Sequence, residues 1–529
     1  MKGTPRVPVT FTLLICLLLL LGSCSPERSE ERPDKGLRVG EVREDQKWTA
    51  RAEGTGAARE PSGDISKPEG ALVPIAHLSS TLESIGSEEF SEIRGLVVGQ
   101  GSREEAAEVV GRSDFEGFGS PSAVVNHVSR TPGALGLVPW EKVGPRVKVL
   151  AVNGESLLNP DAAGTGDYPL RAEGATLPDP EDLRRVVVGG DVVLDRGQNY
   201  AVIQQGRGLD FPLDGGYAAI TDREPEPSYY SETGFIHQFT AERRGGAGVV
   251  REYLSGADLT LANLENPLVR SAVYHPEATT FTGDLRLMPV LEQAGIDGVT
   301  LGNNHILDAG APGLLETLEH LKDAGIAYAG AGADLAAARE PMIFEFGETE
   351  VGVLSYQGVP SYDWAWAKQA APGTAPLIEG MMREDIRRLR TRVDLVLVMP
   401  HWGKEYVATP EPGQVDLAHA AVEAGADLVV GGHAHWPKGM EVYEGKPIFY
   451  GVGNFLLDQS WSEETSTGIF AEITLHEDRI IQVRPVPFVL LDYAQPNFLV
   501  PEAGGARALR GVFSASIGPE FEAYGATAR

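Results

Sequence analysis

Five short apolar runs in this chain stop abruptly at residues able to hold an ion or move a proton. Val186–Val188 runs into Gly189-Gly190-Asp191, and Asp258–Ala262 runs into Asn263-Leu264-Glu265. Val299–Leu301 ends at Gly302-Asn303-Asn304-His305, with Asp308 just beyond. Val393–Met399 delivers Pro400-His401-Trp402-Gly403, and Asp427–Val430 delivers Gly431-Gly432-His433-Ala434-His435. A strand that ends this way leaves its last side chains at the carboxyl edge of a sheet, where open α/β sheets bind ligands. Glycine beside them permits a sharp turn and close backbone approach.

Taken singly, each residue has a plainer reading. Asp191 is as consistent with a helix N-cap, Glu265 with a solvated turn, and His401 with a core histidine bonded to backbone. Asn304, His305 and Asp308 fit a polar turn before a helix that begins near Ala311. His433-x-His435 is the firmest signal, because two imidazoles at that spacing in an extended segment point the same way. As a set, the residues point to a metal site. Imidazoles, carboxylates and an amide oxygen without sulfur suit Zn, Mn or Fe, and two neighbouring carboxylates favour a dication that relieves their repulsion. Asp308 is placed to orient or tune the His305 imidazole. His77, His127, His237, His275, His320, His419 and His476 have no comparable setting and read as surface or core residues.

The chain has 529 residues, room for two or three domains. Met1 to Ser23 reads as a secretory signal, with Lys2 and Arg6 before the apolar run Phe11–Leu21. Leu21-Gly22-Ser23-Cys24 resembles a bacterial lipobox, so Cys24 is expected to carry lipid and to hold the protein on the extracytoplasmic face of the cell membrane. Ordinary secretion with Cys24 discarded is the alternative. Residues 24–70, rich in Glu, Arg, Pro and Gly, read as a disordered tether. The two cysteines are Cys16 and Cys24, so the folded body holds neither a disulfide nor a thiolate metal site. A formal net charge of −30 argues against nucleic-acid binding through a basic surface.

Residues 71–178 read as a small α/β lobe: strand-like ALVPIAHL, a helix through Leu82, Ile85, Phe90 and Ile93, a second helix from Ser122, and strands at Ala134–Pro139 and Val147–Val152. A dense α/β pattern spans 179–500, with helices at Leu285–Ala294 and Leu314–Ala324 that each stop at a glycine, Gly295 and Gly325. Met342–Phe346 with Val351–Tyr356, and Gly468–Leu475 with Ile480–Val486, read as hairpins. The Gly- and Ala-rich tail, 501–529, is expected to be peripheral.

Two resemblances follow from these motifs. GALGLVPWEKV, VKVLAVNG and Asp167-Tyr168-Pro169-Leu170 resemble one lobe of a phosphate-type periplasmic binding protein. Such proteins hold ligand between two lobes, so a lone lobe is expected to bind nothing tightly. GDVVLDRG, ANLENPLV, LGNNHILDAG, MPHWGKEY, GADLVVGGHAHW and KPIFYGVGNFLLDQ, in order from about Val186 to Asp458, resemble the CapA-type capsule-synthesis (poly-γ-glutamate biosynthesis) family, which is related to calcineurin-like metallophosphoesterases. The resemblance implies a four-layer αββα sandwich with one or two divalent ions at the strand ends. It implies that Asp191 and His435 hold one metal, that Asn304, His401 and His433 hold the second, and that Glu265 bridges them. His305, oriented by Asp308, would serve as acid to the leaving group or as a stabiliser of developing charge, and Arg196 would hold a substrate anion. Val193 stands where the phosphoesterases carry a histidine, and Ile306 where they carry a carboxylate. The implied activity is metal-dependent hydrolysis on or around an exported anionic polymer or its synthase complex. The alternative is a noncatalytic, metal-stabilised envelope scaffold that docks polymer or synthase.

Overall fold

The strand Leu183–Val192 shows why this chain must fold in layers: from Val186 onward every residue is buried. A strand apolar on both faces needs cover on both. Val186 and Val188 enter one core and Val187 another, as alternating side chains must, and a register shift between Val188 and Asp191 turns Val192 into the same core as Val187. The structure, a computed structural model, describes residues 38–39, 70–160, 168–223, 239–276 and 279–527.

Two sheets face each other. In the larger, the strands run in the order Thr240–Arg243, Tyr217–Asp222, Gln495–Leu499, Arg479–Leu491, Thr467–His476, Leu183–Val192, Leu259–Leu264, Gly298–Thr300 and Ala327–Ala329, and Asn454–Leu456 also pairs with Leu183–Val192. In the smaller, the order is Arg38–Val39, Met342–Phe346, Thr349–Gly358, Leu395–Trp402, Leu428–Val430, Lys446–Phe449 and Met440–Tyr443. Between them lies a core that includes Leu259, Leu261, Phe344, Val353, Leu397 and Val430. Outside the larger sheet, Val250, Leu254, Leu314 and Leu321 on the helices Val249–Ser255 and Gly310–Asp323 build a second core. Outside the smaller sheet, Ile386, Leu389, Ala418 and Ala421 on Glu379–Arg390 and Pro412–Ala424 build a third. The layers are therefore helix, sheet, sheet, helix. Leu183–Val192, Leu259–Leu264, Gly298–Thr300 and Ala327–Ala329 are mutually parallel, as are Thr349–Gly358, Leu395–Trp402, Leu428–Val430 and Lys446–Phe449. Parallel pairing is what gathers the carboxyl ends.

The N-terminal lobe is a five-stranded sheet, Glu116–Phe118, Val97–Gly99, Leu135–Pro139, Leu72–His77 and Val147–Val149, covered by Arg103–Val110 and Pro121–Val128. The expected helix through Leu82–Ile93 does not form. Ser84–Ile85 pairs in parallel with Ala151–Val152, and a 3-10 turn at Ser87–Ser91 buries only Phe90. Leu82 points to solvent, and Gly95 at φ 71° breaks the run. Asp167 and the signal, lipobox and Cys24 lie outside the described residues, as does the expected tether apart from Arg38–Val39, which pairs antiparallel with Phe344 and Glu345, and Gly70.

The tail is not peripheral. Gly505–Ala515 is a helix whose Val512 and Phe513, with Phe521, are buried in the core between the sheets. Arg146 of the lobe meets Glu520 at 2.9 Å, and His77 Nε2 lies 2.7 Å from the Glu520 carbonyl. Small residues in the tail left its few large apolar side chains inconspicuous in the sequence, yet those chains close an otherwise open sandwich edge. Among the described residues no helix is long and apolar enough to cross a membrane.

Candidate metal centre

Register aligns the strand ends. Asp191 pairs with Asn263 on one side and Asn454 on the other, and Asn263 pairs with Thr300. From the facing sheet, His401 bridges to Gly432. The approach is close: a methyl on Gly190 would overlap the Gly453 carbonyl, and one on Gly432 would sit 3.0 Å from Asp191 Oδ1.

Two triads result. Glu265, His401 and His433 have ligand atoms all within 4.8 Å of one another, as do Asp191, Glu265 and His435, and all five residues are buried. Glu265 belongs to both, the arrangement a bridging carboxylate requires. His401 Nε2 lies 3.1 Å from Glu265 Oε1 and 2.8 Å from Asn304 Oδ1, which brings the amide oxygen to the same place. His435 Nδ1 lies 3.4 Å from Asp191 Oδ2.

His433 and His435 converge by a different route from the one their spacing suggested. The segment after Val430 is not extended; both residues adopt left-handed backbone, at φ 82° and 55°. Each such residue costs on the order of 1 kcal/mol, a strain that clusters at functional sites. The imidazoles are aimed by the bend, not by strand alternation.

The donor set fits a cation. Asp191 Oδ2, both oxygens of Glu265 and His433 Nδ1 are buried without a hydrogen-bond partner. An unsatisfied buried carboxylate costs several kcal/mol and calls for an explanation; an ion held by these atoms supplies it. Burial, with His401 and His435 nearby, pushes His433 well below the usual imidazole range, so it is neutral and able to ligate. Burial works against a charged His435, but Glu265 and Asp191 outweigh it and raise that imidazole to about 9. Burial likewise opposes ionisation of Asp191, yet His435 and His401 hold its carboxyl below the usual carboxylate range. A small cavity of about 10 Å³, lined by Gly190, Asp191, Asn263, His401 and Gly432, lies beside the site on the side of the inter-sheet core residues Met399, Val430 and Val452.

His305 Nδ1 meets Asp308 Oδ2 at 2.8 Å, and the same oxygen accepts from the Phe281 backbone at 2.8 Å. The Phe281 ring lies 4.6 Å from that of His305. Arg196 is buried, at φ 46°, with Nε 3.0 Å from Asp458 Oδ1, so its head is engaged within the protein. Val193 packs with Phe281 and Leu457 and offers no ligand.

Several supporting residues were missed. Asn263 donates to Asp191 Oδ1 at 2.8 Å. Asn303 donates to Asn263 and accepts from the backbone of His305 and Ile306, which shapes the loop that presents Asn304. Asn454 Oδ1 lies 2.9 Å from His435 Nδ1. Their only sequence signal is an asparagine at each strand end, beside a residue with more obvious chemistry. Of the remaining histidines, His77 and His320 are buried, His419 stacks on Tyr443 and pairs with Glu441, and His275 pairs with Asp195; His237 lies outside the described residues.

Fold and site together define a two-sheet α/β sandwich with a buried carboxylate–imidazole centre at its strand ends. Residues 185–459 match the family model described as bacterial capsule synthesis protein PGA_cap, and the chain belongs to that family. It is 30% identical over 228 residues to the capsule biosynthesis protein CapA of Bacillus anthracis, covering 42% of this chain and 55% of that one. It is 31% identical over 304 residues to a probable polyglutamine synthesis accessory protein of Mycobacterium tuberculosis, covering 52% of this chain and 75% of that one. The chain thus spans little more than half the length of the Bacillus relative. Among solved structures, the NAD nucleotidase of Haemophilus influenzae aligns with a TM-score of 0.34 at 13% identity, over 65% of this chain and 59% of that one.

Proposed function

We propose that this protein is a lipid-anchored, metal-dependent hydrolase of the bacterial cell envelope. It acts on an exported anionic polymer of the capsule or poly-γ-glutamate type, or supports the complex that makes it. One observation carries the chemistry: two triads of buried ligand atoms share Glu265 and leave its oxygens without hydrogen bonds. Capsule and polyglutamine synthesis are what the relatives are named for, and the lipobox at Cys24 supports the membrane face.

Bound divalent ions acidify water and polarise phosphoryl or carbonyl oxygens of a substrate. Asp191, Glu265, Asn304, His401, His433 and His435 would hold them. His305 is the residue for proton transfer. With Nδ1 held by Asp308, Nε2 is the nitrogen left to give a proton to a leaving group, and the Phe281 ring shields the pair from water. Asn263 and Asn454 fix the orientation of Asp191 and His435, the supporting role such partners play in metal sites.

The test is hydrolysis of a generic phosphodiester such as bis(p-nitrophenyl) phosphate by purified protein loaded with Mn or Zn. Turnover by the wild type that His401→Ala abolishes is expected; equally null results for both would count against catalysis. The apolar setting of Val193 favours a second reading, a noncatalytic scaffold. A single tight ion with no exchangeable water would favour it, because catalytic sites keep an open position.

A further inference from the structure

Two carboxylates grip two histidines in the same way. Asp308 Oδ2 lies 2.8 Å from His305 Nδ1 and accepts the Phe281 backbone N–H at 2.8 Å. Asp195 Oδ2 lies 2.8 Å from His275 Nδ1 and accepts the Thr282 backbone N–H at 2.9 Å. An ionised carboxylate only accepts, so each Nδ1 is the donor and each Nε2 is left for something else. Phe281 and Thr282 are consecutive, so the two pairs are anchored one residue apart. His305 is near enough to the metal ligands to oppose a charge on His433. His275, a histidine with no setting of its own in the sequence, therefore belongs to the rim of the same centre.

The plainer reading is that Asp195 caps the short helix Arg196–Asn199 and that His275 pins a loop. Capping needs only Oδ1, which accepts the Arg196 N–H at 2.8 Å. It leaves the rest unexplained, for Oδ1 also accepts the His275 backbone N–H at 3.2 Å and Oδ2 takes the ring. The loop is closed without the ring: Thr282 Oγ1 accepts from the Val273 N–H at 3.0 Å and donates to the Val273 carbonyl at 2.8 Å. The Asp195 side chain is 0% exposed, whereas that of His275 is 21% exposed. A fully buried carboxylate is costly unless its bonds are made. This one uses two of them to fix a single, partly exposed imidazole, whose Nε2 has no hydrogen-bond partner among the described residues.

Arg196, on which the family resemblance placed a substrate anion, is held by Asp458. An anion at the rim needs another partner. We infer that His275 holds an oxyanion of the substrate through Nε2, next to the group that meets the metal ligands, while His305 serves the leaving group. As an imidazolium it donates from both nitrogens, to Asp195 through Nδ1 and to the ligand through Nε2, and Asp195 balances its charge. The oxyanion is a phosphoryl or a carboxylate oxygen, two sources that one hydrogen bond does not tell apart. The assignment rests on the metal-centre reading for where the reacting group lies, and on the Asp195 grip alone for the imidazole.

The experiment is binding of inorganic phosphate and of a γ-linked glutamate trimer to the purified, Zn-loaded full chain, by calorimetry, with melting temperature and metal content read in parallel. The wild type is expected to bind at least one probe, and which one binds separates phosphoryl from carboxylate. His275→Ala should weaken that binding about tenfold or more, the worth of one hydrogen bond between charged groups. His275→Gln, whose amide N–H reaches the place of Nε2, should recover part of the loss, and metal content should match the wild type in both variants. A wild type that binds neither probe, or an alanine variant within about twofold of it, would overturn the assignment. If the alanine variant melts early, the wild type decides: the ¹⁵N resonance of His275 Nε2 should move as the anion is added, and one that stays fixed at saturation defeats the assignment. Where a phosphodiester is turned over, His275→Ala should raise KM far more than it lowers kcat. Binding that needs His275 in a protein with no turnover defeats the hydrolase reading alone; turnover with KM and binding indifferent to His275 defeats this assignment alone.

Discussion

Because Glu265 belongs to both triads, Glu265→Gln tests the whole centre with one isosteric change. Without ions, the carboxylates of Asp191 and Glu265 lie within 4.8 Å of each other. At an effective dielectric of about 20, two such charges repel by about 3 kcal/mol. The adjoining imidazoles can offset this only by taking up protons, as the raised His435 shows. Substituting Gln for Glu265 removes a charged ligand from each triad. Loss of one supporting partner already costs about 10- to 100-fold in metal affinity, so loss of a shared ligand should exceed 100-fold at both positions. An ion present at about 100 times its Kd contributes about 2.7 kcal/mol of linked stability. Over the family-matched region of about 270 residues, at about 2.1 cal/mol/K per residue, that is about 5 °C in melting temperature. Scanning calorimetry with and without chelator, together with elemental analysis, reads both quantities. Wild type should lose about 5 °C on chelation and the variant almost nothing. His433→Ala and His435→Ala, each touching one triad, should keep the metal held by the other. A Glu265→Gln protein with wild-type metal content and an undiminished chelator effect would refute the shared-ligand geometry.

Three further outcomes follow from the same coordinates. His435 is raised to about 9 before metal binds and must shed its proton to ligate, so metal affinity should climb by up to tenfold per pH unit between about 7 and 9 and then level off; a flat profile in a pH-titrated competition assay would contradict this. Lys438 is fully buried with no hydrogen-bond partner for Nζ, and burial lowers it from 10.5 to about 8. A base depressed in the fold loses stability as pH falls from the unfolded value through the folded one, and the full penalty of about 3 kcal/mol is present at pH 7. Lys438→Met should therefore stabilise the protein at pH 7, by a margin that shrinks toward pH 10, and urea melts at both pH values would show it. Phe513→Ala should cost about 3–5 kcal/mol, as for any large core side chain; a loss below 1 kcal/mol would mean that the C-terminal helix is peripheral after all.

Most of the ligand set was legible because its signals are local: an apolar run, a glycine, then a group with chemistry. Asp191, Glu265, Asn304, His401, His433 and His435 all stand in such positions, and spacing alone placed each at a strand end. Legibility failed where the cause is non-local. The helix expected at Leu82–Ile93 yielded to strand pairing with residues some seventy positions away, at Ala151–Val152. The tail's few large side chains read as surface until the sandwich edge was there to receive them. Asn263 and Asn454 drew no role of their own from the sequence, because orienting Asp191 and His435 is a role defined only by distance.

What the sequence determined on its own was the α/β pattern, the absence of sulfur ligands from the folded body, and the kinds of atoms available to an ion. Only tertiary structure decided that Glu265 lies in both triads, that left-handed turns aim His433 and His435, that Arg196 is committed to Asp458, and that Asp195 holds His275. The division has a physical basis. Propensity and apolar periodicity act over a few neighbouring residues and are written along the chain. Coordination, electrostatic repulsion and ring contact depend on separations of a few ångströms, which arise only after parallel strands from two sheets have brought their ends together.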